Sequence, residues 1–471
     1  MGRPEPLHER ASHAVEPRVR EKGMTRTTIF ATCLAAALTS AACTKTDATS
    51  PASGTPDASG PSEAGGDGGI DGVIAGTEVT AGTFDRPGFS DVHLAAASDG
   101  SIHLVFVDGA SSATWYARCE AKCGDPASWN PVKIAPNAIA TGYQNARGIA
   151  VDASGRIHML LTDSVYATCA SGCDVPASWS FTSLDALEPG AEAAVFRAFD
   201  VAPSGALSFI TRSGNYYTCA SDCTKVASWK PVVRIQGTPL HLRVDGKGGV
   251  HVLLSAGANP AGETQLAYAR CASACDQLGS WALSEKRFLA KTQSYSPTLA
   301  ATASGRVYLT YQQGTLADAA DPNNGQLVVR TCAGADCTNL TSWTSFPLQG
   351  GPAEGEEGTW IEAAGEGLVL ASAVGGELHV RTCESGCEAA AGWSASTVVD
   401  ASSVIAASVP QDLVTCGGAP PESSGYQARF PSVAISSKGA VALHRPSALV
   451  KCAGDPNIKS SPPIGRVLAT F

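Results

Sequence analysis

The chain has 471 residues, 44% hydrophobic and 16% charged, with 49 Gly and only 3 Met. Its formal net charge is −10; 6 Lys/Arg and 4 Asp/Glu precede Thr44, so the part from Thr44 onward holds 27 basic against 39 acidic residues. That balance excludes a nucleic-acid binder, which needs a basic surface to neutralise phosphates, while abundant Gly with few charges favours many short strands and tight turns.

Residues 1–43 read as an upstream extension followed by an export signal. From Met24, Arg26 supplies a positive end, Ile29 to Leu38 an apolar run too short for a permanent membrane helix, and Ser40-Ala41-Ala42 small residues before Cys43. The segment resembles a bacterial lipoprotein signal, with Ser40 standing where that family usually has Leu. The resemblance implies cleavage before Cys43 and lipid attached to it, so that the membrane is a partner through the N-terminal lipid. Thr44, rather than Asp, in the next place implies an outer-membrane lipoprotein, periplasmic or at the cell surface. Ordinary signal-peptidase cleavage near Ala41 or Ala42 is the competing reading. Residues 44–71 form a linker: Thr44 to Gly69 is rich in Ser, Pro, Gly, Ala and Asp without apolar periodicity, which predicts a disordered tether.

From residue 72 to 471 an internal repeat dominates. The block GCDVPASW ends at Trp179, and related blocks end at Trp129, Trp229, Trp281, Trp343 and Trp393; in all six, Trp lies six residues after a Cys. Those Cys recur at intervals of 50, 50, 52, 62 and 50 residues. Upstream of each block a Gly turn separates two apolar runs, at Gly100, Gly155, Gly205, Gly248, Gly305 and Gly367, and a seventh such turn falls at Gly439. Each unit reads as four short strands, for example Ile149–Asp152, Ile157–Leu161, Val165–Cys169 and a fourth from Trp179. Four strands per unit of this length, repeated, predict an all-β, seven-bladed β-propeller behind the disordered N-terminal region. The first strand is rich in small residues, as in Leu94-Ala95-Ala96-Ala97, as crowding at a ring axis requires. The strand that completes the seventh blade is either Arg466–Phe471 or a segment at Val73–Val79.

Of the 16 Cys, two lie in the export region and fourteen from Cys119 onward. The spacing predicts disulfides Cys119/Cys123, Cys169/Cys173, Cys219/Cys223, Cys271/Cys275, Cys332/Cys337 and Cys383/Cys387, in an exported chain. In the seventh unit Cys452 keeps the phase of a first Cys, and Cys416 is its partner by elimination. Zinc is the rival use of these thiols, but each unit brings only two ligands without a paired His, so no metal and no cofactor are expected.

In a propeller the first-to-second and third-to-fourth connections share one face. Here those are the short Gly turns and the uniform Cys blocks, a fixed floor. Length varies in the second-to-third connections (Ser255–Gln265, Gly314–Gln326) and in the links between units (Gly350–Gly358, Ala401–Tyr426). Variable loops on a rigid scaffold are where binding concentrates, so that face is expected to carry a ligand site with Tyr143, Arg147, Arg197, Tyr295, Asp318, Asp321, Asn324, Glu356, Glu357 and Tyr426. His103, His158 and His251 recur at one place in the second strand, and His93 and His241 in the first; repeat-derived packing is the reading preferred over a channel metal. Arg118, Arg270, Arg330 and Arg381 precede Cys residues and read as scaffold. Catalytic motifs such as GxSxG or HExxH are lacking, and no catalytic residue is assigned.

The strand-turn-strand unit Val151-Asp152-Ala153-Ser154-Gly155-Arg156-Ile157-His158 resembles those of sialidase-like and related repeat propellers, a likeness covering roughly Phe84 to Phe471. The full S-x-D-x-G-x-x-W box of sialidases does not occur, and their arginine triad with paired Tyr and Glu cannot be assigned. The resemblance implies the ring fold. The expected function is a monomeric, non-catalytic envelope lipoprotein that binds a protein or glycan through the loop face; the alternative is a secreted carbohydrate-active enzyme, a glycosidase or lyase, of which the glycosidase needs two carboxylates across one pocket.

Overall fold

The computed structural model describes residues 80–83, 89–108, 113–135, 148–161, 164–188, 196–258, 264–284, 288–289, 297–313, 326–333, 335–348, 358–374, 377–401, 403, 414, 416, 421–427, 431–454, 458–460 and 466–470. The export segment, Cys43 and the linker lie outside the described residues. Regular structure is strand, interrupted by short 3-10 turns. Among the described residues no helix is long and apolar enough to cross a membrane.

Six antiparallel sheets take their strands in chain order and form blades 1 to 6, spanning residues 89–135, 149–183, 196–234, 238–289, 298–347 and 359–400. Blade 1 shows the pattern: Phe89–Ala96 pairs with Ile102–Asp108, which pairs with Ala113–Cys119, which pairs with Val132–Ala135. The Gly turn between first and second strands needs a left-handed residue, and Gly100, Gly155, Gly205 and Gly248 all have φ of 81–82°. In blade 6 the turn residue in that conformation is Gly365 (φ 61°), while Gly367 opens the second strand. The expected turn glycine is thus displaced by two residues, because this turn is the tighter one, with Ala364 paired directly to Gly367.

Blade 7 is built differently. Its first two strands are Ser432–Ser436 and Gly439–His444. The third is the C-terminal Arg466–Thr470, and the outermost is Thr80–Thr83 from the N-terminal side. The C-terminal segment therefore closes the ring, together with an N-terminal strand just after the expected Val73–Val79. Ser447–Cys452, expected as the third strand, leaves the blade and lies between Pro421–Gln427 and Ile458–Ser460 in a separate three-stranded sheet. A buried ion cluster accompanies this arrangement. Asp400, last residue of blade 6, accepts from Arg466 Nε at 2.5 Å and Nη2 at 2.7 Å and from His444 Nε2 at 2.6 Å. All three residues are at most 3% exposed. The strand carrying Arg466 brings a guanidinium to this carboxylate beside His444, and removing either partner would leave a buried charge.

The core lies in the seams between blades. Seven apolar clusters each join two neighbouring blades: 7 with 1, 1 with 2, and so on round to 6 with 7. Such radial closure is the seven-bladed β-propeller anticipated from the repeat. The Cys-Trp block supplies each of the first six seams. All six short disulfides form: Cys119–Cys123, Cys169–Cys173, Cys219–Cys223, Cys271–Cys275, Cys332–Cys337 and Cys383–Cys387, with Cα–Cα distances of 5.6–5.8 Å. Cys416–Cys452 forms at 5.5 Å. The second cysteine of each short pair has a further role that spacing alone did not suggest. The carbonyls of Cys123, Cys173, Cys223, Cys275, Cys337 and Cys387 each accept from the indole Nε1 of the Trp six residues on, at 2.7–3.2 Å, which accounts for the fixed spacing. The same ring packs edge-on against a Tyr of the preceding blade: Trp179 on Tyr116, Trp229 on Tyr166, Trp281 on Tyr216 and Trp343 on Tyr268, with centroids 4.6–5.6 Å apart. A buried ring of this size removes about 150–250 Å² from water, on the order of 4–6 kcal/mol gross. Seven disulfides place the folded chain in an oxidising compartment.

Candidate functional site

Two regions hold the polar chemistry that a ring of this kind offers: the axis and the loop face. Around the axis, the innermost strands of blades 1, 3, 4, 5 and 6 set one residue each at the same register: His93, Ala198, His241, Thr298 and Trp360, paired respectively with Val105, Ile210, Leu253, Thr310 and Ala371. Blade 2 contributes Gly148, where a Cβ would meet His93 at 2.5 Å. The expectation of small residues holds for Gly148 and Ala198. It fails at His93, His241 and Trp360, whose rings fill the space the small residues leave. Trp360 is 1% exposed, with its ring 6.5 Å from His93 and 6.0 Å from His241. One layer further along, the Arg243 guanidinium lies 5.4 Å from the Trp360 ring centroid and 3.9 Å from Glu362, which also accepts from Trp360 Nε1 at 3.2 Å. Asp200 accepts from the backbone N–H of Val201 and of Val244, both at 3.0 Å, so it ties blade 3 to blade 4. The axis is thus blocked at this depth by a packed aromatic and ionic plug, which carries no exposed reactive group.

The recurrent second-strand histidines are not axial. Each sits in the relay that buries the blade's Tyr. His158 Nδ1 lies 2.7 Å from Tyr166 Oη and its Nε2 3.2 Å from Asp152; His251 makes the same contacts to Tyr268 at 2.5 Å and Asp245 at 3.1 Å. A carboxylate only accepts, so Nε2 carries the proton and Nδ1 accepts from the phenol. In blade 1, Ser101 is inserted between His103 Nε2 and Asp99, and in blade 3 Ser208 replaces the imidazole, 2.6 Å from Tyr216 Oη. Burial holds all three imidazoles below the ordinary histidine range, His103 at about 4, and pushes the Tyr166 phenol up to about 12. The packing reading of these histidines therefore has a specific content: they satisfy buried phenols beneath the Trp. Among the described residues no group of three or more His, Cys, Asp or Glu is arranged to hold a metal.

On the loop face, a cleft of about 550 Å³ opens between blades 3 and 4. Arg234 and Gln236 line it from the end of blade 3 and the link that follows, and Ser255, Tyr268, Leu283 and Ser284 from blade 4. Ser284 fixes the wall, its N–H donating to Tyr268 O at 2.9 Å and its hydroxyl accepting from Tyr268 N at 3.0 Å. The Tyr268 phenol is turned inward to His251 and is held well above its ordinary pKa by burial. The cleft offers one guanidinium, amide and hydroxyl groups, and apolar wall, and among the described residues none that lines it is acidic. Such a surface can hold a polar ligand.

The cysteines take no part in this cleft. None of the fourteen half-cystines lines it. Cys123, Cys337 and Cys387 are buried, and Cys173, Cys223 and Cys275 pack half-buried against the seams, so each serves the scaffold rather than a ligand.

Of the loop-face residues expected from sequence, Tyr143, Arg147, Tyr295, Asp318, Asp321, Asn324, Glu356 and Glu357 lie outside the described residues. Arg197 falls in the bulge at the loop-face end of the innermost strand of blade 3. Tyr426, expected in a long link, lies in the strand Pro421–Gln427 opposite Ala448. Pro421–Gln427 is a strand because Ser447–Cys452, displaced from blade 7, offers it an edge, and Cys416–Cys452 ties the two segments together. Likewise the expected loop Ser255–Gln265 is mostly strand, since its two flanking strands extend to Ala258 and from Thr264. Sequence reading missed Arg234, Gln236 and Ser284. The available signal was their position beside the fourth unit's long connection.

Neither a family model nor a curated protein matches the chain. Solved structures similar to it include YCF48 from Cyanidioschyzon merolae (12% identity, TM-score 0.45, covering 83% of this chain and 98% of that one). A YCF48 bound to D1 peptide is similar at 12% identity and TM-score 0.46 (83% and 96%), and the polysaccharide lyase Uly1 at 10% and 0.41 (83% and 90%). Trypanosoma rangeli sialidase with the inhibitor DANA matches at 12% and 0.35, over 61% of this chain and 53% of that one. The architecture itself rests on strand pairing and on the seven closed seams: the chain is a seven-bladed β-propeller, stapled on one face and sewn shut by strands from both ends of its described sequence.

Proposed function

We propose that the chain is a non-catalytic binding propeller of the bacterial envelope, lipid-anchored at Cys43, that takes a protein or glycan on its loop face. One observation carries this reading: the cleft between blades 3 and 4 lies on the face where connection length varies, and its described lining is made of a guanidinium, an amide, hydroxyls and apolar wall. The opposite face is occupied by six near-identical stapled turns, which leave little room to vary a site. A glycosidase would need two carboxyl groups converging on one pocket. The axial plug supports the same reading, because Asp200, Arg243 and Trp360 are buried.

The test is a glycan array run beside a panel of fluorogenic glycosides on the purified exported protein. Glycan binding that weakens in Arg234→Ala, without turnover, is the expected result. Robust turnover would establish the enzyme instead, and silence in both would point to a protein ligand, to be sought with the same variant as control.

A further inference from the structure

Hydrogen-bond register fixes the face at which the chain enters the ring. In blade 1, Ala96 pairs with Ile102 and Ile102 with Cys119, so the Gly turn and the disulfide share one end. In blade 7 the same end is marked by the pair Ser436–Gly439. Ala440 there pairs with Thr470, while His444 at the other end pairs with Arg466. Thr80 pairs with Ala469 and Thr83 with Arg466. Thr80 therefore stands at the stapled face, and its strand runs from there to the loop face.

We infer that the chain preceding Thr80 leaves from the stapled face, so that a protein anchored through Cys43 presents its loop face, with the cleft, away from the bilayer. The inference rests on the proposed lipid at Cys43 and on the proposal that the chain between it and Thr80 is a flexible linker. From Thr44 to Val79 there are 36 residues. A coil of that length and composition reaches about 33 Å on average. A folded body of this size has a radius of gyration of about 21 Å, equivalent to a sphere roughly 55 Å across. Turning the loop face to the lipid takes the tether around the rim, on the order of 85 Å, far beyond its average reach though within its extended length. Exit from the stapled face needs no such path. The face is also net acidic: its Gly turns and Cys-to-Trp segments together expose nine described carboxylates, Glu120 and Asp174 among them, against Lys122, Arg156, Lys225, Lys247 and Lys438. Anionic headgroups repel such a rim within a Debye length of about 8 Å, so the tether rather than adhesion sets the presentation.

The experiment places a fluorescent amino acid at Ala153, exposed in a stapled-face turn, or at Arg212, exposed in a loop-face turn, in the full chain. Energy transfer to acceptor-labelled headgroups is then measured on vesicles. Two loading routes are compared: the native protein, with lipid on Cys43 checked by intact mass, and a Cys43→Ala chain with a hexahistidine inserted after position 43 on nickel-chelating lipid. Transfer several-fold stronger from position 153 than from 212 in both routes is expected. Equal or reversed transfer in both overturns the inferred exit face. The expected order on nickel lipid, combined with no lipid mass on Cys43, overturns the anchor and with it the presentation, while leaving the entry geometry standing.

Discussion

Blades 1 to 6 each carry their own clip, whereas blade 7 is assembled from three separate parts of the chain. In the first six, a disulfide, a 3-10 turn and an indole bonded to a Cys carbonyl lie within eleven or twelve consecutive residues, Cys119 to Trp129 for example. In the seventh, Asp400 from blade 6, His444 and Arg466 converge from positions 44 and 66 residues apart. Local encoding makes a blade repeatable. Ring closure cannot be repeatable, because the last seam must join whatever the chain ends supply. The stabilising groups differ accordingly: cystine and aromatic packing where neighbours are sequential, a buried ion cluster where they are not.

The largest expected effect comes from attacking closure directly. Asp400→Ala leaves Arg466 and His444 buried without their carboxylate, and should lower unfolding free energy by about 3–5 kcal/mol in denaturant titration. A loss under about 1 kcal/mol would mean that blade 7 is closed by strand pairing alone. The matching change in a stapled blade, Trp229→Ala, empties the seam against Tyr166 and Phe209 and should also cost about 3–5 kcal/mol. Trp229→Phe keeps most of the packing but leaves the Cys223 carbonyl unpaired, and should cost about 1–3 kcal/mol.

Disulfide removal separates the two regions next. Cys416→Ser with Cys452→Ser opens a loop with a sequence separation of 36 and should cost about 4 kcal/mol in the chain-entropy treatment. Cys219→Ser with Cys223→Ser, at separation 4, should cost about 2 kcal/mol. Equal losses would show that native packing, not loop closure, sets the contribution.

Acid should weaken both regions together. Buried His103, His158, His251 and His444 all have folded pKa values depressed by burial, His103 to about 4. A depressed imidazole gives stability that is complete above the unfolded value near 6.5 and is lost as pH falls toward the folded value. For His103 alone this is about 2 kcal/mol between pH 7 and pH 5, read as a falling Tm. Asp400 acts in the same direction at lower pH. Burial by itself would raise its carboxyl, but bonds and charge from His444 and Arg466 outweigh that and hold it down, so its contribution is lost as pH falls below the ordinary carboxylate range. A Tm that stays flat from pH 7 to 5 would contradict the neutral relays. The smallest effect is Arg234→Ala: exposed in the cleft, it should change stability by no more than about 0.5 kcal/mol while weakening ligand binding.

Much of this was legible in the sequence because blades repeat. The six Cys pairs and the seven Gly-turn units follow from spacing and the Cys416–Cys452 pair by elimination, and each corresponds to a contact made within about fifty residues. The Cys-to-Trp interval of six was visible, but its cause, an indole bonded to the Cys carbonyl, was not. The cleft was foreseen only as a face. Arg234 and Ser284 belong to different blades, and no local pattern marks residues that meet across a seam.

By itself the sequence determined the repeat, its stapled turns and the number of units, because those depend on short-range geometry: a left-handed Gly, a Cys pair four or five residues apart, an indole within reach of one carbonyl. The tertiary structure alone decided which strand completes blade 7, that Trp360 and two imidazoles fill the axis, and that Ser447–Cys452 leaves the ring. Those outcomes turn on which distant groups can pair a buried charge or occupy a shared void, and such competition is settled only when all the blades are in place.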